Sequence, residues 1–193
     1  MSERTLLRTL NIILLVIVVG TPLFFIGKSV YPYTFTKTLF FQAGVELLFA
    51  FWAVLAVSIP SYRPKRTPVM LALAAFGAAL LIATAFAVDP WRSFWSTQER
   101  ALGVFTFLHF VALPVVLSSL GKQVWWKKLW YASLCTSVLV GVLAFIQLYV
   151  PDVLLIEQIG DRPGATFGNP TFFAGYLVFH IFIALYFLLQ RFT

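Results

Sequence analysis

RPKRTPVMLALAAFGAALLIATAFAVDPWR, residues 63–92, holds twenty uncharged residues from Val69 to Val88, closed by Arg63, Lys65 and Arg66 on one side and by Asp89, Trp91 and Arg92 on the other. About 20 apolar residues in a helix cover the roughly 30 Å of a bilayer's hydrocarbon. A basic turn at one end and an aromatic edge at the other suit two membrane–water interfaces. The stretch reads as a membrane span.

Comparable apolar runs occupy residues 10–26, 39–59, 101–120, 129–150 and 171–189. The reading is therefore all-α: a polytopic transmembrane helix bundle of about six spans, with residues 1–193 forming a single transmembrane domain. Composition agrees, with 61% hydrophobic residues, 11% charged residues and a mean hydropathy of +0.91. A water-soluble core could not hide that much apolar surface. The first run follows Arg4 and Arg8 but is not followed by a small-residue cleavage site, so it reads as a retained anchor rather than a signal peptide.

The formal charge of +7 arises from residues between apolar runs, which points to topology and membrane lipid and away from nucleic acid. The odd-numbered connections carry Lys28, Lys37, Arg92, Arg100 and Arg162. The N-terminus, the even-numbered connections and the C-terminal end carry Arg4, Arg8, Arg63, Lys65, Arg66, Lys122, Lys127, Lys128 and Arg191. Five against nine places both termini on the cytoplasmic side and the odd-numbered connections outside. Trp91, Phe94 and Trp95 mark an outer edge, and Trp125, Trp126, Trp130 and Tyr131 an inner one. The single cysteine, Cys135, lies in an apolar run and excludes an intrachain disulfide.

Two outward segments hold most charges outside the basic turns: DPWRSFWSTQERALG, residues 89–103, and PDVLLIEQIGDRPGATFGNPTFF, residues 151–173. Ser96 and Glu99 have the spacing of a helix capping box, which starts the fourth span near Thr97. Arg100 would then oppose the helix dipole, so an ion pair, lipid phosphate or an anionic substrate group must hold it there. Asn169 and Pro170 read as the N-cap and first residue of the sixth span. Gly160, Gly164 and Gly168 permit a tight surface turn or a close approach to a ligand or helix.

Within the spans, Glu46 must be paired, protonated or open to a wet cavity, and Gln42 lies one turn earlier on its face. His109 and His180 read as packed or hydrogen-bonded histidines, without carboxylate or cysteine partners at metal-ligand spacing. No phosphate-binding glycine loop, hydrolase elbow or HExxH motif occurs. No metal site or cofactor is expected.

WSTQERALGVFTFLHF, residues 95–110, and RPGATFGNPTFFAGYL, residues 162–177, together resemble the O-antigen ligase and polymerase superfamily. TKTLFFQAGVELLFAFW, residues 36–52, is similar to an early span of that family. The resemblance implies a bacterial inner-membrane glycosyltransferase that moves a glycan from an undecaprenyl diphosphate carrier to an extracytoplasmic acceptor, without nucleotide sugar or metal. It implies that Arg100 and Arg162, with Arg92 as a third candidate, bind the lipid diphosphate in an outward cavity whose rim Gly168, Asn169 and Pro170 shape, with Glu46 near the pocket. It assigns no catalytic residue to this chain. The family's catalytic histidine belongs to a later outward loop, which makes this chain the amino-terminal portion of a larger enzyme and predicts it to be inactive alone. A secondary transporter, with Glu46 as its coupling or substrate residue, and a non-catalytic membrane scaffold are the rival readings.

Overall fold

The computed structural model describes residues 2–150 and 162–190, and among them all regular structure is helical. Seven α-helices follow in order: α1 Glu3–Leu23, α2 Thr34–Ser58, α3 Pro68–Ala85, α4 Pro90–Trp95, α5 Val104–Leu120, α6 Trp126–Tyr149 and α7 Pro170–Gln190. Six of them, all but α4, are long and apolar enough to cross a membrane, α5 when its 3-10 extension to Gln123 is included.

Local chemistry explains most helix starts. Ser2 Oγ accepts from the Thr5 amide at 3.2 Å, so α1 begins seven residues before the apolar run does. Thr67 caps α3 by accepting from the Met70 amide at 3.3 Å, with Pro68 in the first position. Asp89 caps the short α4 by accepting from the Arg92 amide at 2.9 Å. Asn169 Oδ1 accepts from the Thr171 amide at 2.8 Å ahead of α7, which starts at Pro170 as the sequence indicated.

The fourth span departs from expectation. Ser96 and Glu99 form no capping box: Ser96 ends α4 at φ 67°, Ala101 turns at φ 50°, and α5 begins only at Val104 behind Gly103. A Cβ on Gly103 would lie 2.2 Å from the Phe94 carbonyl oxygen, so the chain doubles back directly onto α4. That fold-back consumes the residues the capping box would have used. Arg100 consequently precedes the helix and does not oppose its dipole.

The helices cluster into two compact units, one from Met1–Ile17 and Thr38–Trp125, the other from Val18–Lys37 and Trp126–Thr193. In the first, Leu10, Leu48, Leu55 and Val116 are almost wholly buried, and the side chain of Asn11 is 1% exposed. Asn11 Nδ2 donates to the carbonyls of Leu7 and Gln123 at 2.9 and 3.0 Å, and its Oδ1 accepts from the Trp125 amide at 2.7 Å. One side-chain amide thereby ties α1 to two backbone groups of the basic turn. At the same end Tyr62 donates to Glu3 Oε1 at 2.7 Å, and this hydrogen bond, with burial adding to it, raises the phenol's pKa above its ordinary value.

In the second unit Val140, Ala144, Ala165 and Phe173 form a core against which Leu23, Phe167 and Leu177 pack. α6 and α7 are also joined by Ser133, whose hydroxyl lies 2.8 Å from His180 Nε2. His180 Nδ1 meets the Tyr176 carbonyl at 2.7 Å, so that nitrogen carries the hydrogen and Nε2 accepts from Ser133. His180 is thus an interhelical hydrogen-bonding residue, as its apolar setting suggested.

Candidate functional site

Three places gather the residues singled out by sequence. In the second unit, residues 164–168 form a largely buried element, with exposed Arg162 before it and exposed Asn169 after it. Ala165, at φ 44° and wholly buried, donates its amide to Gln147 Oε1 at 3.0 Å. Thr166 Oγ1 donates to the Pro22 carbonyl at 2.7 Å. Gly168 adopts φ 65°, and a Cβ there would lie 2.0 Å from Tyr33 Cδ2, so both properties expected of this glycine are used at once. Asn169 and Pro170 then open α7. Arg162, at the entrance of this element, is exposed, while Gly160 and Gln158 lie outside the described residues.

Lys37 anchors the same element from the other side. Its Nζ donates to the carbonyls of Thr21, Pro22 and Phe24 at 3.3, 2.6 and 2.9 Å and lies 5.2 Å above the Phe167 ring. Counted among outward charges in the sequence, it is instead the cation that closes the C-terminal end of α1, where carbonyls lack helical partners. Removing it from the outward tally leaves the charge bias unchanged in sign.

In the first unit, Arg92 is exposed on α4 beside the Trp91–Trp95 ring pair, and Arg100 is exposed in the connection before α5. Among the described residues neither these two arginines nor Arg162 has an ion pair. The two leading candidates belong to different units: Arg100 to the first, Arg162 to the second.

The third place was only half legible. Glu46 on α2 lies 3.3 Å from His109 Nε2 on α5, the one ion pair among the described residues. One turn away Gln42 Nε2 donates to Thr106 Oγ1 at 2.9 Å, and Thr106 donates to the Ala101 carbonyl at 2.7 Å. Two polar rungs in the same order along both helices mean that α2 and α5 run parallel, as the second and fourth of alternating spans must. His109 is therefore hydrogen-bonded, one of the two readings its apolar setting allowed. The available signal was the matching step, Gln42 to Glu46 on one span and Thr106 to His109 on the other, which puts two polar groups on one face of each helix. Among the described residues no three His, Cys, Asp or Glu side chains converge as a metal site.

Comparison of the chain with protein-family models, with curated proteins and with solved structures gives no match in any of the three, so its functional reading rests on the residues and geometry set out above.

Proposed function

We propose that the chain is a multi-pass protein of the bacterial cytoplasmic membrane, with both termini on the cytoplasmic side, and part of a glycosyltransferase of the O-antigen ligase type. In this reading it holds an undecaprenyl diphosphate-linked glycan for transfer to an extracytoplasmic acceptor. The observation that carries the reading is the element 162–170. The residues bearing the resemblance are those whose special conformations are used: Gly168 seats against Tyr33, Asn169 and Pro170 open α7, and Arg162 stays exposed at the entrance. Arginine suits a diphosphate because it remains charged and presents paired donors to phosphate oxygens. In the complete reaction such arginines stabilise the departing diphosphate while a base activates the acceptor hydroxyl.

Orientation is tested by cysteine labelling in a Cys135→Ser background. A membrane-impermeant reagent should reach cysteines placed at Ser93 and Gln158 and should not reach those at Lys65 or Gln123. The opposite pattern inverts the topology.

The diphosphate site is tested by binding of undecaprenyl diphosphate to the chain in nanodiscs. A charge-assisted hydrogen bond contributes about 1.5–3 kcal/mol, so Arg100→Ala and Arg162→Ala should each weaken binding about tenfold or more. Lysine at either position should restore it only in part, since the charge remains and the planar fork is lost. Lys65→Ala, in the basic turn that this reading puts on the cytoplasmic side, serves as the control. Parent-like affinity in either alanine variant would remove that arginine as a diphosphate ligand.

A further inference from the structure

In the first unit, the start of α1 and the connection after α5 enclose a cavity of about 640 Å³. Arg4, Leu7 and Arg8 of α1 line one side and Trp125 the other. Its shape is held by Asn11, which donates to the Gln123 carbonyl at 3.0 Å and accepts from the Trp125 amide at 2.7 Å. Because Asn11 is 1% exposed, these bonds are shielded from water and the two walls stand in place before any ligand arrives. A volume of this order suits a small organic group.

The charge of the lining favours an anion. Arg4 and Arg8 are one helical turn apart and therefore neighbours on the helix surface. Both are exposed, and among the described residues neither has an ion pair. Glu3 is the one acidic residue of the lining, and its Oε1 already accepts from the Tyr62 hydroxyl at 2.7 Å. Lys122, exposed beside Gln123, adds a third cation. Three positive charges thus face one carboxylate that is engaged elsewhere.

Further along α1 the chemistry changes. Ile12 and Val16 follow Arg8 at one-turn spacing and are 45% and 52% exposed, so an apolar strip continues the basic one. Trp125, half-buried at the cavity, has the amphipathic ring that suits a membrane–water interface. A free phosphate would use only the basic part of this surface, whereas a molecule with an anionic head and a hydrocarbon tail uses both parts. We infer that the cavity holds the headgroup of an anionic phospholipid, with Arg4 and Arg8 on its phosphate and an acyl chain along Ile12 and Val16. Basic pockets at the ends of membrane helices suit such headgroups, and arginine presents paired donors to phosphate oxygens.

The site discriminates by headgroup. Phosphatidylcholine carries its own cation beside the phosphate, which opposes the two guanidinium groups, while phosphatidylglycerol carries none. The site is also distinct from the proposed diphosphate ligands of the first unit: Arg100 precedes the start of α5, and Gln123 and Trp125 follow its end. The inference therefore does not rest on the glycosyltransferase reading.

The test titrates dioleoyl phosphatidylglycerol onto the purified chain in a non-ionic detergent and counts bound lipid by native mass spectrometry, with dioleoyl phosphatidylcholine as comparison. Saturable binding that prefers phosphatidylglycerol is expected. Each arginine near a headgroup is worth about fivefold in affinity, so Arg4→Gln and Arg8→Gln should each weaken binding about fivefold and the double variant about twentyfold. Both side chains are exposed, so helical content and melting should be retained. Lys65→Gln/Arg66→Gln removes two charges from the neighbouring turn and leaves the cavity intact, so it should bind like the parent. Glycerophosphoglycerol, the headgroup without tails, should fail to displace the lipid at matched concentration. The inference is overturned if the parent does not prefer phosphatidylglycerol, if the Arg4/Arg8 double variant binds like the parent, or if the Lys65/Arg66 double variant loses as much. Displacement by glycerophosphoglycerol at matched concentration would also overturn it, and would make the cavity a site for a soluble phosphodiester.

Discussion

Gly168→Ala should destabilise the second unit by about 3 kcal/mol or more. The left-handed conformation at φ 65° costs an L residue roughly 1–2 kcal/mol. The added Cβ would also lie 2.0 Å from Tyr33 Cδ2 and 2.4 Å from Cγ, so the ring or the backbone must move, and forced repacking costs about 1–3 kcal/mol. The two contributions separate in the double variant Tyr33→Ala/Gly168→Ala, in which relief of the overlap should leave chiefly the backbone term. Gly175→Ala provides the control: it lies within α7 with open space around its Cβ position, and alanine is the better helix former. The measurement is equilibrium unfolding in mixed detergent micelles. Parent-like stability of Gly168→Ala would mean that the chain before α7 does not sit against Tyr33.

Lys37→Met should have an effect of similar size for a different reason. Methionine keeps most of the stem's volume and removes three donors from the end of α1. Each buried acceptor left without a partner costs about 1–3 kcal/mol. Pro22 retains its bond from Thr166 and Phe24 keeps a further partner, while the half-buried Thr21 carbonyl loses the ammonium, so a loss of about 1–3 kcal/mol is expected. Loss of the cation over Phe167 adds about 0.5–1 kcal/mol. Because Lys37 and Thr166 share the Pro22 carbonyl, Lys37→Met and Thr166→Val should be non-additive in a double-mutant cycle. Lys37→Arg should fall between parent and Met, since a flat guanidinium cannot aim three donors into one compact point. Additive effects in the cycle would show that the two side chains act on separate parts of the fold.

These two sites also show which features were legible in advance. Six apolar runs near bilayer length became six long apolar helices, because the transfer of a side chain out of water depends on that side chain and little else. Asn169 and Pro170 were readable for an equally local reason: the cap and the missing proline amide concern only the first turn of α7. Ser96 and Glu99 had the spacing of a cap and failed to form one. The fold-back of Gly103 onto the Phe94 carbonyl governs where α5 starts, and that contact is not local to the motif.

Sequence by itself determined the helical class, the number of candidate spans, the alternation of basic and aromatic turns, and that Glu46 is paired, protonated or open to a wet cavity. Tertiary structure alone decided that the partner is His109, that Lys37 closes the end of α1, that the glycine-rich entry to α7 is buried against Tyr33 and Gln147, and that Arg100 stands before its helix. The division follows the range of the forces involved. Burial preference and capping are settled within one or two turns of chain, whereas the partner of a carboxylate within a span is whichever helix packing brings within about 3 Å, and that choice is made by residues dozens of positions away.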